Sequence, residues 1–213
     1  KKVKEHGALC LDFGGGLCHL AVFEEGELIH TAALPIGSKN ITNDLAIAVK
    51  TYLDNAEKIK LENGFVGNGT STKKESIDLS ELVEEEDFIV SKKLIGEVIT
   101  DRVSEIAEMI SAELKKINRL LPGGAVLVGG GAKLPGFTEY IKEKLKLPAK
   151  KVSSYEFDGV INKMDDPSLA VAAGLAFWGI EKEFQGKENK FFDGLGTQKT
   201  IKKLKGWFRI FLP

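Results

Sequence analysis

The sequence predicts an α/β protein, and three observations carry that reading. Three apolar runs near the N-terminus, at 8–13, 18–23 and 28–36, are separated by a glycine loop and a tight turn. From residue 41 the apolar positions recur every three or four residues, the period of an amphipathic helix. Later, two short apolar segments at 125–128 and 147–152 stand on either side of a helical segment.

Each element has its own justification. The first three runs read as an antiparallel meander, because Glu25-Gly26 is a two-residue hairpin turn. Leu45, Ala48, Val49, Tyr52, Leu53, Ala56 and Ile59 predict one helix over 42–62, stopped by Gly64 as a glycine just past a helix end. Residues 64–86 begin rich in Gly, Asn, Ser and Thr, and weak strands follow at 76–79 and 87–90. Leu94, Val98, Ile106, Ile110, Leu114 and Ile117 predict a long helix over 91–118 with Ser91 as its cap. Pro122-Gly123 closes that unit, and 125–128 reads as a buried strand, 136–146 as a helix and 147–152 as a strand. Asp166-Pro167 is an N-cap with proline in the first helical position, opening a helix over 168–180. That helix is apolar nearly all round, which predicts burial. Residues 185–198 have glycines, charges and little periodicity, as a flexible linker does.

Composition narrows the function classes. The 213 residues carry 31 acidic and 30 basic side chains, for a net charge of -1. That is ordinary globular composition, and it lacks the basic excess of a nucleic-acid binder. The charges are unevenly placed. Five basic residues and no acid lie in 199–213, so the rest has 25 basic against 31 acidic residues, a body of about -6. Drawn as a helix, the tail gathers Ile201, Leu204, Phe208, Phe211 and Leu212 on one face, with Trp207 at its edge. Lys199, Lys202, Lys203 and Arg209 cover the remainder and Lys205 sits at the boundary. This is the pattern of an interfacial membrane helix. Each cation near an anionic surface contributes about 1 kcal/mol. A helix packed on its own domain, or one that binds a protein partner, is the other reading of the pattern. No apolar run is long enough to span a bilayer, and no signal-peptide pattern is present. Cys10 and Cys18 do not make a zinc pattern, and a start at Lys1 directly before a strand reads as a cut end.

Two triple glycines, Gly14-Gly15-Gly16 and Gly129-Gly130-Gly131, each follow an apolar strand directly. Loops of this kind turn backbone N–H groups towards one point and bind phosphate. The second also precedes a helix, whose N-terminus favours an anion. Asp12 ends a buried strand, where a carboxylate needs a metal, a metal-bound water or a turn hydrogen bond; an Asx turn onto Gly14 is the structural alternative. Glu57 and Lys60 stand at i, i+3 and share a helical face, where a solvated ion pair is the plain reading.

With those residues in view, Asp12-Phe13-Gly14-Gly15-Gly16 resembles the second phosphate loop of the actin-like ATPase superfamily, and within it the FtsA family of cell-division proteins. The resemblance also runs through Pro35-Ile36-Gly37, Ile41-Thr42-Asn43-Asp44-Leu45-Ala46 and Ala56-Glu57-Lys58-Ile59-Lys60. It continues through 128–136 and Asp166-Pro167-Ser168 and covers about 8–179 plus the tail. It implies an actin-like (ribonuclease H-like) core subdomain at 1–40 and 118–184 with an inserted α+β subdomain at 41–117. After these come the linker at 185–198 and the amphipathic helix at 199–213.

The resemblance implies ATP and Mg2+ as ligands. Gly14, Gly15 and Gly16 would close over the β- and γ-phosphates, with Asp12 reaching the metal through water. Glu57 and Lys60 would face ribose and adenine, and Gly129, Gly130, Gly131 and Lys133 would cradle the adenosine side. Leu17, Cys18 and His19 stand where the family usually has two threonines and an aspartate, which removes two hydroxyl donors. His19 matches a histidine with which actin orders the attacking water. The implied protein is a membrane-tethered adaptor on the cytoplasmic face of the cell membrane at the division site. It would anchor the ring of the tubulin-like protein FtsZ, docking FtsZ's C-terminal peptide on 41–117, and would assemble with itself into filaments. Its membrane contacts would be Ile201, Lys202, Leu204, Lys205, Trp207, Phe208, Arg209, Phe211 and Leu212. The chain matches the second half of that fold, so it holds one jaw of the nucleotide cleft and is at most a weak ATPase. A PilM-like pilus assembly adaptor, or another actin-like ATPase or kinase, is the alternative, and the tail separates them.

Overall fold

A computed structural model describes residues 2–67, 75–84, 87–152 and 166–185. The expected linker and amphipathic helix lie outside them. The described residues fall in two compact units, divided after residue 170.

After a short helical turn (α1, Lys2–Glu5), the first unit opens with β1 (Ala8–Phe13), β2 (Cys18–Glu24) and β3 (Glu27–Leu34). These pair antiparallel as expected, with Asp12 opposite His19 and Phe13 opposite Cys18. Two later strands, β6 (Ala125–Val128) and β7 (Ala149–Lys151), add in parallel on the other side of β1. The sheet order is β3-β2-β1-β6-β7. Alternation along the strands sends Leu9, Leu11, Phe13, Leu20, Val22 and Leu127 into the core, all 1 % exposed or less. Cys10, Asp12, His19 and Ala21 take the opposite face.

The single helix expected over 42–62 is two helices, α2 (Ser38–Val49) and α3 (Leu53–Asn63). Lys50 adopts the left-handed conformation (φ 58°), and Tyr52 is extended, so the chain turns between them. The apolar period alone does not register such a break, because both helices bury residues into one core. Gly64 ends α3, but its φ is -74°. It is glycine because a Cβ there would run into the Lys60 carbonyl oxygen. The weak strands are real: β4 (Ser76–Asp78) and β5 (Ile89–Ser91) pair antiparallel around a short helix, α4 (Ser80–Val83).

The long helix α5 (Lys92–Ile117) is capped by Ser91, whose hydroxyl accepts from Leu94 N–H. Its most buried stripe is Ile95, Ile99, Val103, Ile106 and Ile110. Leu94 and Val98 flank that stripe, because α5 packs against α2 and α6 together and buries a broad face. Helix α6 (Phe137–Leu145) places Phe137 in a stack on Phe13, ring centroids 4.7 Å apart. Asp166 caps a 3-10 turn (Pro167–Leu169), accepting from Ser168 N–H with proline in the first position, as expected. The turn runs into α7 (Ala170–Gln185). The helix expected over 168–180 is thus present as that turn and α7. Among the described residues no helix is long and apolar enough to cross a membrane.

Candidate functional site

Because β1 and β6 are parallel neighbours, the two glycine loops emerge side by side at the carboxyl ends of their strands. Ligands of α/β sheets collect at such edges. In the first loop Gly14 N–H donates to Leu17 O at 3.0 Å, closing a tight turn. The Asx turn onto Gly14 is therefore not formed. The N–H groups of Gly15 and Gly16 have no partner among the described residues. The loop's carbonyls face α2: Gly14 O accepts from Ser38 N–H at 2.9 Å and Gly15 O from Lys39 N–H at 2.8 Å. Gly37 permits that approach, since a Cβ there would lie 2.5 Å from Gly15 O. Sequence reading placed Gly37 in a motif without giving it a role; a glycine directly ahead of a helix was the available signal.

The second loop is interlocked with the first strand. Gly129 has φ +88°, and a Cβ on it would run into Asp12 Oδ1. Gly131 lies flat against the Phe13 ring. The loop does not lead straight into a helix. A 3-10 turn (Gly130–Lys133) and Leu134-Pro135-Gly136 intervene before α6, so the α6 N-terminus is displaced from the glycines. Lys133 is engaged with Asp166, Nζ to Oδ2 at 2.8 Å. Lys133 and the Ser168 hydroxyl and N–H hold the Asp166 carboxyl down at about 2.

Asp12 and His19 meet across β1 and β2, with Nδ1 3.5 Å from Oδ2. Asp12 is the more enclosed and His19 is half-exposed. Two thiols stand on the same strands, Cys10 on the Asp12 face of the sheet and Cys18 on the core face. Burial, and then the Asp12 charge, pushes Cys18 up to about 12 and raises Cys10 in the same direction. A thiol held protonated is a poor nucleophile.

Glu57 and Lys60 do share a face of α3, but they do not form a solvated pair. Lys60 is 5 % exposed. Its ammonium donates to Glu57 Oε2 at 2.6 Å, to Thr42 Oγ1 at 2.8 Å and to Ser38 O at 3.2 Å. Thr42 Oγ1 in turn donates to Glu57 Oε2 at 2.5 Å. Burial would raise the Glu57 carboxyl, but the hydrogen bonds from Lys60 and Thr42 outweigh it and hold the group below its ordinary value. Thr42 belongs to the Ile41–Ala46 motif, which by itself gives it no role.

These parts are contiguous. The first loop rests on Ser38, Ser38 O accepts a hydrogen bond from the Lys60 ammonium, and beyond α3 Val66 N–H donates to Pro135 O beside the second loop. Asp12, the first loop, Glu57 and the second loop thus form one rim. Away from it, α2 and α5 line a concave surface with Asp44, Ile47, Ala48, Val98, Arg102 and Glu105. There Arg102 grips Asp44 through both nitrogens of its fork, at 2.5 and 2.9 Å.

The profile of the family described as cell division protein FtsA matches residues 9–174. The chain belongs to the FtsA family. FtsA of Borreliella burgdorferi is 31 % identical over 212 residues, which is 98 % of this chain and 51 % of the relative. FtsA of Pseudomonas aeruginosa is 30 % identical over 185 residues, 86 % of this chain and 44 % of the relative. The chain therefore spans about half the length of the FtsA relatives it matches. Among solved structures, MreB5 of Spiroplasma citri bound to ADP superposes with a TM-score of 0.67 at 19 % identity, covering 89 % of this chain and 58 % of that one. The PilM–PilN type IV pilus biogenesis complex gives 0.61 at 19 % identity, covering 84 % and 47 %. Those likenesses establish the actin-like fold, as expected for an FtsA chain, and both structures share it, so the fold does not choose between FtsA and PilM. The family match makes that choice.

Proposed function

We propose that this FtsA-family chain is part of a membrane-tethered, actin-like adaptor of the division ring, regulated by nucleotide. The observation that supports it most directly is the placement of two glycine loops side by side around Asp12. The residues present suit a nucleotide with its divalent metal. The N–H groups of Gly15 and Gly16 have no partner among the described residues, and Gly129 and Gly131 pack against Asp12 and Phe13 and so hold the second loop beside the first. Among the described residues the Asp12 carboxylate has one ion-pair neighbour, His19. On this reading Gly14–Gly16 hold phosphates of ATP, Asp12 holds Mg2+ through water, and His19 positions a water. Glu57 and the Gly129–Gly131 loop border the nucleoside. Bound Mg2+ would neutralise phosphate charge. One jaw binds weakly. Millimolar MgATP should shift amide resonances of both glycine loops, and a spectrum in which neither loop moves refutes nucleotide binding. A micromolar affinity refutes the one-jaw reading.

The inserted subdomain, 41–117, would present the docking surface for the FtsZ C-terminal peptide. The concave face of α2 and α5 suits a short peptide, because it combines exposed Ile47 with charges of both signs. The tail would hold the assembly on anionic lipid at the division site, and copies would polymerise through their cores. Co-sedimentation with anionic vesicles tests the tether: removal of 199–213 should abolish it, and unchanged binding refutes the assignment.

A further inference from the structure

Two lysines border the nucleotide rim, and the structure gives them opposite circumstances. Lys60, which the FtsA resemblance offers as a ligand, has three ammonium protons and three internal acceptors: Glu57, Thr42 and Ser38. It is buried, and none of its protons is left for a ligand. Lys39 is the reverse. Its main chain is pinned to the first loop by the bond from Lys39 N–H to Gly15 O. Its stem lies along Gly15, with Cε 3.6 Å and Cγ 3.8 Å from where a Cβ on that glycine would sit. The side chain is exposed, and its ammonium has no hydrogen bond or ion pair among the described residues.

We infer that Lys39 is the phosphate-contacting cation of this site and that Lys60 is a positioning residue that fixes Glu57. The ligand chemistry is the di- or triphosphate of a nucleotide, and the inference rests on the nucleotide reading above. Three features converge on it. The exposed N–H groups of Gly15 and Gly16, without a partner among the described residues, can donate to an anion, and Lys39 is the charge beside them. The N–H groups of Ser38 and Lys39 at the start of α2 are consumed by loop carbonyls, so the helix terminus itself cannot serve. The Lys39 charge also reaches the rim, since it contributes to holding Glu57 ionised. A cation on a flexible stem follows phosphate as a point charge.

The test is an amide-resonance titration of the full chain with adenosine, ADP and ATP, for wild type, Lys39→Met, Lys39→Arg and Lys60→Met. A charge-assisted contact of this kind changes affinity about tenfold. Lys39→Met should lower the initial slope of the ADP and ATP titrations by that factor, leave adenosine unchanged and melt at the wild-type temperature. Lys39→Arg should restore phosphate binding. Lys39→Met binding ATP as wild type does, or losing adenosine to the same degree, overturns the assignment. Absence of any loop response in the wild type overturns the nucleotide reading itself, and Lys39 with it.

Discussion

Replacing Lys60 by Met tests whether the α2–α3 contact is built around a buried cation. Methionine keeps the length of the stem and removes the charge. Ser38 O, Thr42 Oγ1 and Glu57 Oε2 lose their shared donor. Breaking a buried pair from one side costs about 3–5 kcal/mol when the remaining charge is sealed from water. Here the Glu57 side chain is 41 % exposed and can rehydrate, which lowers the cost to about 2–3 kcal/mol. In a protein of this size each kcal/mol moves the melting temperature by about 2–4 °C, so a fall of about 4–12 °C follows. Thermal melting followed by circular dichroism measures that fall and urea unfolding measures the free-energy loss, with an unchanged denaturant slope showing that the native fold is kept. Glu57→Gln and the double variant complete a cycle, and the double variant should cost less than the two singles added. The pH dependence has a definite sign. Glu57 is held below its ordinary value when folded, so its contribution is complete above the ordinary carboxylate range and is lost as pH falls through the folded value. The stability gap between wild type and Glu57→Gln should be flat near neutrality and close in acid. Lys60→Met within about 0.5 kcal/mol of wild type would refute the reasoning, since that is the effect of a surface change.

Two further predictions concern the loops. Gly129→Ala should cost more than about 2 kcal/mol in urea unfolding, because φ is +88° and the new methyl would strike Asp12. Gly16→Ala is the contrast within the same motif class: nothing lies within 4 Å of its Cβ position and its φ is not positive, so stability should change by less than about 0.5 kcal/mol. The Asp166 carboxylate should titrate near pH 2 by carbon-detected resonance, and Lys133→Met should move that midpoint up towards 3.8. Its pKa is depressed on folding, so whatever it stabilises is present above the ordinary aspartate range and fades as pH approaches 2. Because the pair is largely exposed, Lys133→Met should cost less than about 1 kcal/mol.

Local pattern determined much of this protein. Alternation and a two-residue turn specified the β1–β3 meander, and Ser91 and Asp166 announced their caps, because caps and hairpins depend on residues a few positions apart. The FtsA resemblance was legible for the same reason, as short motifs kept in order. Tertiary structure decided what those motifs touch. The spacing of Glu57 and Lys60 placed them on one face of α3, but whether that face met water or the first turn of α2 depended on residues 15 to 22 positions earlier. The break at Lys50 was hidden because α2 and α3 bury into one core and keep the apolar rhythm across the turn. Gly37 and Gly129 needed the fold to show their neighbours, since the atoms that exclude a Cβ belong to Gly15 and Asp12. Periodicity reports which side of an element is apolar. Which group stands opposite, and so which lysine is buried and which is exposed, is fixed only when distant segments pack together.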